Sequence, residues 1–178
     1  MRLEKSLLKH SENELTALNK IGLKRVFFGL ESGCQRVNDF MQKGVDLNNA
    51  RQIIRLFRNS GIEVSIGTIV GFPTETIDEA RQTLDFIMEM EPYVRTVEIN
   101  PFRLEKTSTI YQDISANKLP EVHLVSDKTE DLSLFSKYHM KDTVDSGESV
   151  SLCNEFNNVF WQTHASDIDW SVLFNYAD

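Results

Sequence analysis

A chain of 178 residues, 40% hydrophobic and 26% charged, is long enough for one packed domain or for one domain with an appendage, and its composition favours neither general disorder nor a membrane class. A formal net charge of −8 argues against nucleic-acid binding, which draws on clustered Lys and Arg. No apolar run approaches the ~20 residues needed to cross a bilayer, and residues 1–10 lack a secretory apolar core, so no membrane association is expected and a cytoplasmic location is the default.

In chain order, Ser11 and Glu14 have the spacing of a capping box, and Leu15, Leu18 and Ile21 follow at helical spacing before Gly22. Residues 24–33, Lys-Arg-Val-Phe-Phe-Gly-Leu-Glu-Ser-Gly, read as a strand buried on both faces, because Val26, Phe27, Phe28 and Leu30 are nearly continuous. A brief helix is predicted over 34–42, with Val37, Phe40 and Met41 on one side. A second follows Asp46, where Ala50, Ile53, Ile54 and Phe57 make an apolar stripe that Gly61 closes. Residues 62–70 are β-branched along most of their length and end at Gly71-Phe72-Pro73. Thr76 and Glu79 offer another capping box, ahead of a helix face of Ala80, Leu84, Ile87 and Met88, and residues 94–99 form a third strand.

Strand, helix, strand, helix, strand with short links is a βαβαβ pattern, which implies parallel strands joined by right-handed crossovers. The carboxyl ends of all three strands then share one rim, where α/β proteins place their ligands. Glu31, Gly71 and Phe102 fall on it. From about 103 to 150 the chain reads as loops with short elements, and helices are predicted over 149–164 and 167–176. The expected division is 1–113 for the strand-and-helix unit and 114–178 for a mostly helical and loop extension.

Gly29-Leu-Glu31-Ser32-Gly33-Cys-Gln35-Arg36-Val37, then Met41-Gln-Lys43-Gly44, Gly61-Ile62, and Ile69-Val-Gly71-Phe72-Pro73-Thr-Glu75-Thr76 together resemble the second half of the radical S-adenosylmethionine (SAM) core, over roughly residues 12–113. The likeness is to cobalamin-associated or peptide-modifying members. It implies a partial (β/α)6 barrel of which these strands are the fourth to sixth, and a [4Fe-4S] cluster that reduces SAM in the complete enzyme. By resemblance, Glu31 and Ser32 lie at the end of the ribose-binding strand. Gly67, Ile69 and Gly71 match a Gly-x-Ile-x-Gly motif beside adenine, and Phe102 lies in a second adenine-contacting region. Glu75 comes one residue later than the acid of that motif and is assigned no ligand.

The cluster-binding Cys-x3-Cys-x2-Cys segment is not found, and Cys34 and Cys153 cannot supply three thiolates. The expectation is therefore a fragment or split portion of a radical SAM enzyme, contributing half of a SAM site and not active alone. Its partner would be the missing amino-terminal half-barrel, or another chain pairing with the open sheet edge. The alternative is a non-catalytic derivative serving as a nucleotide-binding or partner-docking module. Plainer readings stand beside these: Glu31 as a helix-start acid, Cys34 as a small buried thiol, and Arg51, Arg55 and Arg58 as a solvated helix face.

Overall fold

The structure, a computed structural model, describes residues 1–125, 133–140 and 143–164. Three strands, β1 (Arg25–Glu31), β2 (Glu63–Val70) and β3 (Thr96–Pro101), form a parallel sheet in the order β1-β2-β3. Gly29 stands opposite Gly67, and Gly67 opposite Glu98, so one row of the sheet carries two adjacent glycines. Period-two alternation divides the faces. Val26, Phe28 and Leu30, Val64, Ile66 and Val70, and Val97 and Ile99 turn into the core. The opposite face carries Phe27, Gly29 and Glu31 and is open. With Phe27 43% exposed, the expectation that this strand is buried on both faces is corrected: one face is core and the other is accessible.

Helices α1 (Glu12–Lys20), α2 (Gln35–Phe40), α3 (Leu47–Asn59) and α4 (Ile77–Met90) precede or link these strands. Both capping boxes form, Ser11 with Glu14 and Thr76 with Glu79. The Asp46 side chain caps α3, and Gly61 beyond its end has φ of 79°, the left-handed conformation that suits glycine there. Phe57 of α3 meets Phe28 edge to face, centroids 5.3 Å apart. The core face of α4 is Ala80, Thr83, Phe86, Ile87 and Met90, rotated from the expected one, so that Leu84 and Met88 lie at its border. In α2 only Val37 of the expected apolar trio is buried, and Asn38 joins it. The arginine stripe is also more than a solvated face: Arg51 and Arg55 reach Glu89 of α4 at 2.8 and 3.4 Å and lie over the rings of Phe86 and Tyr93.

The core does not divide at residue 113. Helix α6 (Ser146–His164) places Leu152, Cys153, Phe156 and Phe160 in the same cluster as Ile99 and Ile87, and Asn157 Nδ2 donates to the Ile99 carbonyl at 3.5 Å. Between β3 and α6 lie β4 (Leu104–Glu105), α5 (Thr109–Ser115), β5 (Val122–Leu124), β6 (Phe135–Ser136) and β7 (Tyr138–Met140), around a small second cluster of Leu104, Ile114, Val122 and Tyr138. The helix expected over 167–176 lies outside the described residues.

The outer edge of β1 is partly paired. Arg2 forms a parallel bridge with Gly29, the Met1 ammonium donates to the Phe27 carbonyl at 2.7 Å, and Leu3 is 1% exposed. Among the described residues no strand pairs with the free edge of β3.

Candidate functional site

Glu31 closes β1 with φ of 66°, and the N–H of Ser32 bonds back to the carbonyl of Leu30 at 2.9 Å, so Glu31 is the centre of a three-residue turn. A positive φ strains any residue with a Cβ and is worth roughly 1–3 kcal/mol. The turn interrupts the register with β2 between Gly29 and Glu31 and keeps the Glu31 side chain over the open face. There a Cβ on Gly29 would come within 2.8 Å of Glu31 Oε1. Among the described residues, no hydrogen-bond donor or cation pairs with this half-buried carboxylate. Gly67 also supplies room, but to this chain's own aromatic: a Cβ there would stand 2.7 Å from the tip of the Phe27 ring. Ile69, two residues on, is half-buried on the same face.

Ser32 sits elsewhere than expected. It is 0% exposed, and its hydroxyl accepts from the Cys34 N–H at 3.0 Å, lies 3.3 Å from Thr83 Oγ1 and reaches Glu75 at 3.5 Å. It therefore stands behind the open face, with its side chain committed to protein. Gly33 is held beside α4, where its N–H donates to Thr83 Oγ1 at 2.8 Å and where a Cβ would lie 2.5 Å from the backbone of Gln82 and Thr83. Cys34 begins α2 as a buried thiol 3.7 Å from Glu79, in agreement with the plain reading.

Gly71 is likewise engaged by protein. At φ of 84°, its N–H donates to Glu75 Oε2 at 2.5 Å, its carbonyl accepts from the Tyr138 hydroxyl, and a Cβ would meet Ser149 of α6 at 2.6 Å. Glycine is required there because helix and turn crowd the same point. Phe102 is half-buried and belongs to a row of edge-to-face rings, Phe40, Phe72, Phe102 and Tyr138, with successive centroids 5.9, 4.8 and 6.1 Å apart. Pro101 has no N–H, so Phe102 N–H makes the bond to the Val70 carbonyl at 2.8 Å, which carries the ladder past the strand's end.

Glu75 is the hub the sequence reading left without a role. It is 0% exposed, and burial pushes its carboxyl up to about 7 against the opposing pull of the Gly71 and Phe72 N–H groups. Burial, with Glu75 nearby, also raises the Tyr138 phenol. At the rim outside it, Arg36 holds Glu79 in a two-pronged pair, one arm at 2.7 Å, and its guanidinium also donates to the Thr74 carbonyl at 2.8 Å. The Arg36 hydrogen bond is the main cause of the fall of Glu79 to about 2. Asn38 and Thr83 were also missed. Their only signal was a polar residue on an otherwise apolar helix face, beside Val37 and at helical spacing from Ala80.

At the strand ends the Glu31 carboxylate, unpaired among the described residues, stands above Gly29 and Gly67, with the row of aromatic rings at the rim. An iron–sulfur cluster does not fit this chain: it has two cysteines, both buried, and among the described residues no group of three His, Cys, Asp or Glu can hold a metal.

The parallel α/β fold with its rim is one shared with radical SAM enzymes. The chain superposes on the coproporphyrinogen III oxidase HemN of Escherichia coli, a radical SAM enzyme, with a TM-score of 0.56 over 89% of this chain and 31% of that one, at 14% identity. It superposes on OxsB, a cobalamin-dependent S-adenosylmethionine radical enzyme, with a TM-score of 0.59 over 85% of this chain and 26% of that one, also at 14% identity. Residues 4–87, just under half of the chain, match the family model described as the radical SAM superfamily. Among curated proteins, a putative methylthiotransferase of Methanocaldococcus jannaschii is 34% identical over 80 residues, 45% of this chain and 18% of that protein. An uncharacterized methyltransferase of Pyrococcus horikoshii is 27% identical over 81 residues, 46% of this chain and 18% of that protein. The chain thus spans under a fifth of the length of these relatives. No described helix is long and apolar enough to cross a membrane.

Proposed function

We propose that this chain supplies the ribose- and adenine-facing side of an S-adenosylmethionine site in a radical SAM enzyme. Its three strands are the fourth to sixth of the partial barrel. The cluster ligands come from another polypeptide segment or from a partner chain pairing beside β1, the edge that Arg2 bridges at Gly29. The observation that carries the reading is Glu31, a carboxylate strained onto the open face at a strand's carboxyl end and free of protein partners among the described residues.

In the complete enzyme the reduced cluster and SAM supply radical chemistry, and the residues here bind and orient. The two oxygens of Glu31 accept from two adjacent ribose hydroxyls, a charge-assisted pair of bonds. Gly29 and Gly67 keep the floor low, with Phe27 lying across it, and Ile69 and Phe102 present apolar surface to the base. Ser32 and Gly71 act from behind, by fixing the turns on which Glu31 and Phe72 stand.

Calorimetric titration of the full chain with SAM tests this. Saturable binding that Glu31→Ala weakens by about tenfold or more is expected, the scale of a charge-assisted hydrogen bond. Absence of binding, or binding indifferent to that substitution, would overturn it.

A further inference from the structure

Directly behind Glu31 lies a buried cluster of four polar side chains, Ser32, Asn38, Glu75 and Thr83, each 0% exposed and drawn from the β1–α2 turn, α2, the β2–α4 loop and α4. Packing alone does not call for such a cluster, since apolar residues of the same volume would join these elements without desolvating polar groups. Its bonds converge on the two residues that follow Glu31. Asn38 Nδ2 donates to the Ser32 carbonyl at 2.6 Å, and Asn38 Oδ1 lies 3.4 Å from the Ser32 N–H. Thr83 Oγ1 accepts from the Gly33 N–H at 2.8 Å and lies 3.3 Å from the Ser32 hydroxyl. Both peptide groups beyond the strained residue are thus clamped by side chains from two different helices.

We infer that Asn38 and Thr83 are positioning residues for Glu31: by gripping the Ser32 and Gly33 peptides they hold the positive-φ turn and keep the carboxylate over the open face. This rests on the SAM-site reading for the ligand, though not for the geometry. A residue in a strained conformation persists only when its surroundings over-determine it, and here the over-determination is the clamp. Without the Thr83 hydroxyl the Gly33 N–H loses its acceptor, and the turn can relax toward extended backbone. The carboxylate then leaves Gly29.

The test uses the full chain with Thr83→Val, Thr83→Ser, Asn38→Ala and a stability control, Phe156→Leu, in the core on α6 and outside the polar cluster. Each is measured for thermal stability, for SAM affinity by calorimetry, and for the Glu31 backbone resonances that report positive φ. Thr83→Val and Asn38→Ala are expected to displace the Glu31 signals and weaken SAM binding by about tenfold, the effect of one lost bond in a buried network. Thr83→Ser should restore both, and Phe156→Leu should lose stability with neither change. Should Thr83→Val not fold, Asn38→Ala and Thr83→Ser carry the comparison. Folded variants with Glu31 signals and affinity like those of the parent would overturn the inference. If the parent chain does not bind SAM, the ligand reading fails while the resonances still decide: displaced signals uphold the clamp, and unmoved signals refute it.

Discussion

Replacing Glu75 with Gln probes the most heavily buried ionisable group at the rim. Burial raises its carboxyl from 4.5 to about 7, so the folded protein holds this proton more tightly than the unfolded chain does. The stability linked to it is full below pH 4.5 and is lost as pH rises through about 7. At ~1.4 kcal/mol per unit, the loss amounts to about 3 kcal/mol across that window. Gln keeps an oxygen for the Gly71 N–H and cannot ionise. Urea unfolding followed by tryptophan fluorescence, with Trp161 packed on Phe160, measures both proteins from pH 4.5 to 8. Subtracting one profile from the other cancels the remaining carboxylates. The parent should weaken relative to Glu75→Gln by about 3 kcal/mol as pH rises. A flat difference, or one of opposite sign, would refute the claim that this carboxyl is desolvated within the fold.

Two glycines should respond unequally to alanine in the same unfolding assay. At Gly33 the added Cβ meets fixed backbone of α4 at 2.5 Å, so a loss of about 3 kcal/mol or failure to fold is expected. At Gly67 it meets the end of the Phe27 ring, which can swing into open space, so about 1 kcal/mol suffices. Phe156→Ala should remove about 3–5 kcal/mol in chemical denaturation, because α6 belongs to the main core. Arg36→Met should cost about 1 kcal/mol at neutral pH, as expected for a half-exposed pair. It should also flatten the acid limb: with Glu79 lowered to about 2, the pair's stability is present above 4.5 and disappears as pH falls toward 2.

Much of the frame was legible because local signals agreed with one another. Two capping boxes, the Asp46 cap and Gly61 set the helix ends, and β-branched runs ending at Gly71 and near Phe102 set the strands. What escaped were properties of the third dimension. A continuous apolar run does not reveal that Phe27 points to an open face while Phe28 is buried. The sequence places Glu31 and Ser32 side by side, but the positive φ at Glu31 turns one outward and the other into the core. The arginine stripe of α3 could be recognised as a clasp only once α4 lay beside it. Asn38 and Thr83, polar residues on apolar faces, were the visible sign of a buried network, readable only when both helices meet behind one turn. The described residues of 103–140 hide their order because their elements are two to seven residues long, too short for periodicity to develop.

The most direct test of the central claim asks whether Glu31 meets ribose hydroxyls. The full chain and Glu31→Ala are titrated with 5′-methylthioadenosine and with the same nucleoside lacking both ribose hydroxyls. If the carboxylate accepts from them, removing either partner should weaken binding by about tenfold or more, and removing both should do little further harm, which is the signature of a shared hydrogen bond. Losses that simply add, or an affinity in Glu31→Ala equal to that of the parent, would contradict the account.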